Sequence, residues 1–426
     1  MHPISRCRIC GSSELVPVLD LGKQALTGRF LRPEEPDPLK GPLELVVCHD
    51  PAGEGCGLLQ LRHSYPVNQM YGDTYGYRSS NNRTMAEHLR QKIATLVNLA
   101  QPKPGEAVLD IGCNDGTTLG FYAGRELRRV GVDPSSAKFT TEYPNDITLV
   151  VDFFSRLRLQ REVGDLRFKI VTSIAMFYDL EDPLGFMREV ASVLAPDGLW
   201  EFEQHYLPAM LKRRAYDSVC HEHISYYGLR QIKWMTDRAG LKIVHITTND
   251  INGGSFSVIT AHRDAPYPEA TAQIQVMLED ERAMGLETLA PYRKFSADVA
   301  DHRAALRAFL SEARASGKRV LGYGASTKGN VVLQYCSVSE QYLPAIAEKY
   351  PLKYGLVTPG TRIPIIPETE ARERKPDYLL VLPWYFRDEI VQREADYIRD
   401  GGTLVFVLPD LELVSAASSG SVSAAN

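Results

Sequence analysis

The chain has 426 residues, with 48 Lys and Arg against 53 Asp and Glu for a formal charge of −5, and it is 44% hydrophobic. That length excludes a single small module and predicts two to four domains whose cores need no disulfides. A near-balanced charge without a dense Lys/Arg stretch excludes electrostatic gripping of nucleic acid or an anionic membrane. The longest apolar runs, such as 378–383, fall far short of the roughly 20 residues of a membrane span, and the first residues lack a signal peptide's plan, so a cytoplasmic protein is expected.

Segment 1–70 is rich in turn residues and short of long apolar periodicity, so something other than a core is expected to hold it. It carries four of the 7 cysteines: Cys7 and Cys10 in Cys7-Arg8-Ile9-Cys10-Gly11, then Cys48 and Cys56. In a reducing compartment such clustering points to metal rather than disulfide, and two knuckles of two thiolates make a closed, structural zinc site. The spacer 49–55 is longer than the usual two to four residues, which requires either a bulged loop or His49 in place of a cysteine; four sulfurs with a loop insertion is the favoured arrangement, and free thiols are the plain alternative. Next, Tyr75-Gly76-Tyr77-Arg78-Ser79-Ser80 offers phenols to cover a pocket or to pack a domain junction. Apolar residues at three- and four-residue steps from Met85 to Ala100 then predict an amphipathic helix over 82–101.

From 107 to 261, strand-like runs alternate with helical stretches and end in a hairpin, which predicts a mostly parallel sheet with helices on both faces. This central domain is assigned 71–265. Its first strand runs into Asp110-Ile111-Gly112-Cys113-Asn114-Asp115-Gly116, and about twenty residues on the next strand ends in Asp133, placed to accept from both hydroxyls of a ribose. A dinucleotide turn would leave room for a diphosphate, whereas Asn114-Asp115 carries an acid that repels one. The pattern therefore favours S-adenosylmethionine, with Asp110, Gly112, Asn114, Asp115 and Asp133 around it and Asp152 and Phe153 near its adenine.

His221-Glu222-His223 supplies an imidazole general base with a carboxylate to orient it, or else a surface turn whose histidines bond locally. Asn252-Gly253-Gly254-Ser255 is a tight turn, equally a plain hairpin or a substrate contact. Residues 266–315 predict a helical connector, and 316–414 a smaller Rossmann-like domain opened by Tyr323-Gly324-Ala325-Ser326-Thr327-Lys328-Gly329-Asn330, whose amides and Lys328 suit phosphates. The tail 415–426 is expected to be disordered.

Taken in order, these motifs resemble the S-adenosylmethionine-dependent sugar C-methyltransferases that act on nucleotide-linked keto-deoxysugars, over nearly the whole chain. The resemblance implies an α/β protein of three parts: an N-terminal zinc lobe, a central class I (Rossmann-like) methyltransferase domain and a C-terminal Rossmann-like domain, enclosing the substrate between them. It implies that His223 removes the proton beside the ketone, most simply at C3 of a 4-keto sugar, assisted by Glu222, His221 and a tyrosine of the Tyr75/Tyr77 pair, while Tyr226, Asn252, Ser255, Tyr323, Lys328 and Asn330 bind the substrate. Methylation at oxygen or nitrogen, or a non-methylating relative, are the alternatives. The family's tyrosine before the triplet is Cys220 here, which implies a different sugar stereochemistry, a different carbon, or a donor supplied from elsewhere such as Tyr226, Tyr178 or His205. No nucleic-acid or membrane partner is expected, and the state is a monomer or small homo-oligomer.

Overall fold

In the computed structural model, residues 1–50, 55–70 and 78–417 are described. Tyr75 and Tyr77 lie outside them, as does 418–426 of the expected tail. Among the described residues no helix is long and apolar enough to cross a membrane.

The first segment is not core-less, as its turn-rich sequence suggests. Strands β1 (Leu15–Ala25), β2 (Lys40–Cys48) and β3 (Leu59–Leu61) form an antiparallel sheet, which the later pair Ser225–Tyr226 extends. Leu43, Leu45 and Leu61 are fully buried in it. Pro17 and two register shifts, between Pro17/Leu19 and Asp20/Lys23, break the alternation that would have revealed β1.

Helix α1 (Arg83–Ala100) follows the predicted periodicity. Asn82 caps it, accepting from Met85 N at 3.2 Å, and Gln101 ends it in the left-handed region. Its buried face, Met85, Leu89, Ile93 and Leu96, lies on the central sheet, each side chain contributing roughly 1.5–3 kcal/mol relative to exposure. That sheet contains β4 (Ala107–Ile111), β5 (Arg128–Val132), β6 (Ile147–Val150), β7 (Phe168–Ile174), β8 (Leu194–His205), β9 (Leu241–Asn249) and β10 (Ser255–His262), in the order β9-β10-β8-β7-β4-β5-β6. Strands β4 to β8 run parallel, and β10 lies antiparallel between β8 and β9. The order reverses at β4, so β4 and β7 open a crevice at their carboxyl ends.

Two helices, α2 (Thr271–Ala283) and α3 (Ala290–Ala315), lead to a second sheet. It comprises β11 (Val320–Tyr323), β12 (Ile346–Glu348), β13 (Ile365–Pro367), β14 (Tyr378–Val381), β15 (Thr403–Phe406) and β16 (Glu412–Val414), in the order β13-β12-β11-β14-β15-β16. All pairs are parallel except the last. Helix α4 (Thr327–Tyr335) follows β11.

One hydrophobic cluster joins the lobe strands to this C-terminal sheet, and a second joins the four lobe cysteines to the central sheet. The lobe is therefore a wedge between the two larger parts. Polar contacts register it: Asn330 Nδ2 donates to Thr27 O at 2.8 Å, and the Gln334 amide exchanges two hydrogen bonds with the Ala25 backbone, at 2.7 and 3.1 Å. Gly253 and Gly254 serve the junction too. Cβ atoms there would come within 3.0 Å of Trp384 and 2.6 Å of Ala209.

Candidate active site

Residues 220–223 form a turn in which His223 N donates to Cys220 O at 3.3 Å. It sends the two histidines to different places. His221 packs edge-on against Tyr65 at 4.7 Å, fully buried, with Nε2 3.3 Å from Gly41 O. His221, expected to assist catalysis, thus packs on the lobe. His223 Nδ1 lies 3.0 Å from Ser218 O. A carbonyl only accepts, so Nδ1 carries the proton and Nε2 keeps its lone pair. Among the described residues no hydrogen bond reaches Nε2.

Around this ring stand Tyr178 at 4.2 Å and His205 at 5.4 Å, themselves stacked at 5.3 Å. His205 Nε2 is buried without a hydrogen-bond partner. Lys328 Nζ donates to Asn252 O at 2.7 Å and sits 5.1 Å over the Tyr385 ring. Burial first, and the Lys328 charge second, push the pKa of His223 down to about 3 and that of His205 well below the histidine range. Both imidazoles are neutral at working pH. Glu222 is 7% exposed, with Oε2 unpartnered and its carboxyl pushed up by burial, and the Cys220 thiol bonds it. The lobe closes over it: a Cβ on Gly28 would lie 2.9 Å from Glu222 Oε1. Unpaired buried polar atoms on Glu222 and His205 mark a place for a polar ligand.

On the same face of β8 as His205 lie Glu203 and Glu201, which sequence reasoning missed. Lys92 of α1 bridges them at 2.8 and 2.7 Å, while His88 and Asn249 each reach Glu203 at 2.7 Å. Buried carboxylates so paired fix α1 to the strand that carries His205.

At the carboxyl end of β4, Gly112 has φ +82°, and a Cβ there would meet Met176 Cγ at 3.2 Å, so only glycine keeps this crevice open. Asp133 ends β5 beside it, its two carboxylate oxygens accepting from Asn114 N at 2.8 Å and Ser135 N at 2.6 Å. Its remaining lone pairs suit ribose hydroxyls. After β6, Asp152 Oδ1 accepts from Phe153 N at 2.7 Å and from Arg158 Nη1 at 2.8 Å, and Phe153 is 39% exposed. With the acid Asp115 in the turn, the set fits a phosphate-free nucleoside. In the lobe, the four cysteine sulfurs lie within 4.8 Å of one another, with Cys7–Cys56 at 3.5 Å and Cys10–Cys48 at 3.4 Å. Thiolates about 2.3 Å from one tetrahedral zinc stand about 3.8 Å apart, so the set fits zinc without His49. Gly11 N and Gly57 N, both at left-handed glycines, bond Cys7 O and Cys48 O alike at 3.0 Å, so the long spacer leaves the second knuckle's turn like the first.

Comparison with known proteins bears on this arrangement. Family models match in series: a zinc binding domain at 7–71, a methyltransferase domain at 85–246 and a C-methyltransferase C-terminal domain at 250–409. The C-methyltransferase NovU of Streptomyces niveus is 31% identical over 98% of this chain and 99% of its own length. The chain belongs to the C-methyltransferases. Among solved structures, the CcbJ methyltransferase of Streptomyces caelestis is 15% identical over 41% of this chain and 89% of that one, with a TM-score of 0.32. A TehB-like methyltransferase of Corynebacterium glutamicum is 14% identical over 43% and 100%, at 0.30.

This C-methyltransferase thus uses S-adenosylmethionine and carries a zinc-binding lobe, and the alternatives of oxygen or nitrogen methylation give way to carbon. Several expected contacts are placed elsewhere by the structure. Asp110 lies beneath its turn, 2% exposed, accepting from Thr172 at 2.6 Å and from Thr118, and burial lifts its pKa to about 7. Asp115 is taken up by Arg78, Ser80 and Thr117, and Asn114 Oδ1 by Ser79 N. Tyr226 is buried and donates to Ser218 O at 3.3 Å, so it braces the carbonyl that holds His223. Ser255 Oγ closes its own turn on Ile251 O. Tyr323 points into the C-terminal part, donating to Glu394 at 2.6 Å, and Asn330 ties α4 to Thr27. Of the expected substrate residues, Tyr226 shares the Ser218 carbonyl with His223, and Lys328, held by Asn252 O, sends its charge to that imidazole.

Proposed function

We propose that this C-methyltransferase acts on a nucleotide-linked 4-keto-deoxysugar, at C3, through deprotonation by His223. The observation that carries the reading is the neutral His223, its Nδ1–H on Ser218 O and its free Nε2 turned to a cleft that also holds a buried cation, Lys328. Carbon becomes nucleophilic only as an enolate, so a base must reach the ring C–H while donors meet the developing oxyanion. Neutral His223 takes the proton at Nε2, and the Ser218 carbonyl holds the resulting imidazolium by the bond it already makes. Glu222, whose carboxyl burial pushes up, and His205 are the polar groups for the ketone side. S-adenosylmethionine, when bound, supplies an electrophilic methyl on a sulfonium; Gly112, Asp133, Asp152 and Phe153 are the residues to hold it. Closure by the lobe at Gly28 excludes water from the enolate.

Lys328 is the charge for an anionic substrate. Lys328→Met is expected to raise KM for the sugar by about 10–100-fold, the worth of one hydrogen bond to a charged group, with KM for the cofactor unchanged. Steady-state kinetics varying each substrate separates the two. The reading itself is tested by incubating the protein and S-adenosylmethionine in deuterium oxide with dTDP-, GDP- and CDP-linked 4-keto sugars and weighing the products. A product heavier by one methylene, with solvent deuterium exchanged at the same carbon in recovered substrate, is expected with one nucleotide. No methyl gain with any of the three would overturn it.

A further inference from the structure

The segment just before α1 lies across the cofactor turn. Ser79 N donates to Asn114 Oδ1 at 3.0 Å, and Ser80 N to Asp115 Oδ2 at 3.1 Å. Arg78 Nε donates to that same Asp115 oxygen at 3.2 Å and to Ser80 Oγ at 2.9 Å. The rest of the guanidinium reaches the other side of the crevice: Nη1 donates to Glu142 Oε1 at 3.3 Å, Nη2 pairs with Glu142 Oε2, and Cζ sits 5.0 Å over the Phe139 ring. Arg78 therefore joins the turn after β4 to the segment after β5, the two walls between which Gly112 and Asp133 lie. Asp115 is 2% exposed and Arg78 34%, so one end of the pair is anchored in the protein and the other faces out.

We propose that Arg78 is a positioning residue for the cofactor, a clasp fastening 78–80 over the crevice so that it sets how fast S-adenosylmethionine and its demethylated product exchange. The acid in the turn then has a use: Asp115 holds the clasp and touches no ligand. A planar fork suits this task, since Nε and the two terminal nitrogens reach two carboxylates at once, which a lysine ammonium on a single point cannot do. Opening the clasp separates the Arg78 ion pairs with Asp115 and Glu142 and the Ser79 N and Ser80 N hydrogen bonds to the turn without disturbing Thr117, which still bonds Asp115 at 2.6 Å, so the turn keeps its shape while the cover lifts.

The test needs no sugar and so stands apart from the substrate reading. Calorimetric affinity and stopped-flow dissociation of S-adenosylhomocysteine are measured on the full chain. Arg78→Ala is expected to weaken binding about tenfold, nearly all of it as faster dissociation, with the urea unfolding midpoint of the ligand-free protein unchanged. Arg78→Lys is expected to fall between the two, and Glu142→Gln to show a smaller loss of the same kind. Binding and dissociation within twofold of the parent in Arg78→Ala would overturn the proposal, and so would a lowered unfolding midpoint accompanying the loss.

Discussion

Replacing His223 by Gln is expected to lower kcat by about 10²–10⁴-fold, the usual worth of a positioned general base, while leaving S-adenosylmethionine affinity unchanged. The amide preserves the bulk and can still donate to Ser218 O, which holds His223 Nδ1 at 3.0 Å, so the fold is retained and only the proton acceptor is lost. Solvent exchange of the sugar C–H should vanish with methyl transfer, because both need the enolate. A variant that keeps the parental rate would remove the base from His223. The pH profile tests the same residue independently. Burial and Lys328 lower the His223 pKa to about 3, below the ordinary 6.5, so the free enzyme holds the base neutral throughout the neutral range. The acid limb of kcat/KM should therefore lie well below pH 6.5. The sign also sets stability: the unfolded chain binds the proton that folded His223 refuses, so this residue costs stability as pH falls from 6.5 toward 3.

How much of this was legible follows from what each residue's direction depends on. Helix α1 was readable because its periodicity and the Asn82 cap are local, and β4 to β8 because buried parallel strands read as apolar runs. The turn at 112–116 and the four cysteines were readable because chemistry needs those residue types at those spacings. Directions of single side chains were not. His221 and His223 are two apart, and in a strand they would share a face, but the bend between them puts one in the lobe and the other in the cleft. Tyr323 ends the strand before helix α4, whose first turn presents Lys328, yet the pleat turns it to Glu394. Asp115 was read as a ligand group because nothing local reveals that Arg78, thirty-odd residues earlier, takes it. The Glu201/Glu203 pair was invisible for a similar reason, since its partners Lys92 and His88 come from α1. Long-range pairing decides these roles, and a single sequence carries no mark of it.

Stripping zinc is expected to disable the enzyme through its architecture and not through its chemistry. A site filled by four thiolates has no open position for a substrate, so metal content should scale with the folded fraction, at one zinc per chain. The four cysteines share a hydrophobic cluster with the central sheet, and the wedge they hold carries Thr27 and Gly28, which meet Asn330 and Glu222. Losing the metal frees both knuckles and with them the residues that close the cleft. Cys10→Ser should therefore lower the thermal midpoint and raise KM for the sugar before the central sheet unfolds, and added zinc should restore the chelated parent but not the variant. Cobalt is the decisive substitution. It should give a thiolate charge-transfer spectrum of a four-sulfur site while leaving kcat within about twofold of the zinc form, because the ion only holds the lobe. A kcat that follows the identity of the metal would place the ion in the reaction and break this account. Acid should mimic chelation, since the ligands bind as thiolates and protons compete for them. The release should appear first as lost activity, with cofactor affinity persisting, because the lobe meets Glu222 at Gly28 while the crevice of Gly112 and Asp133 belongs to the central sheet.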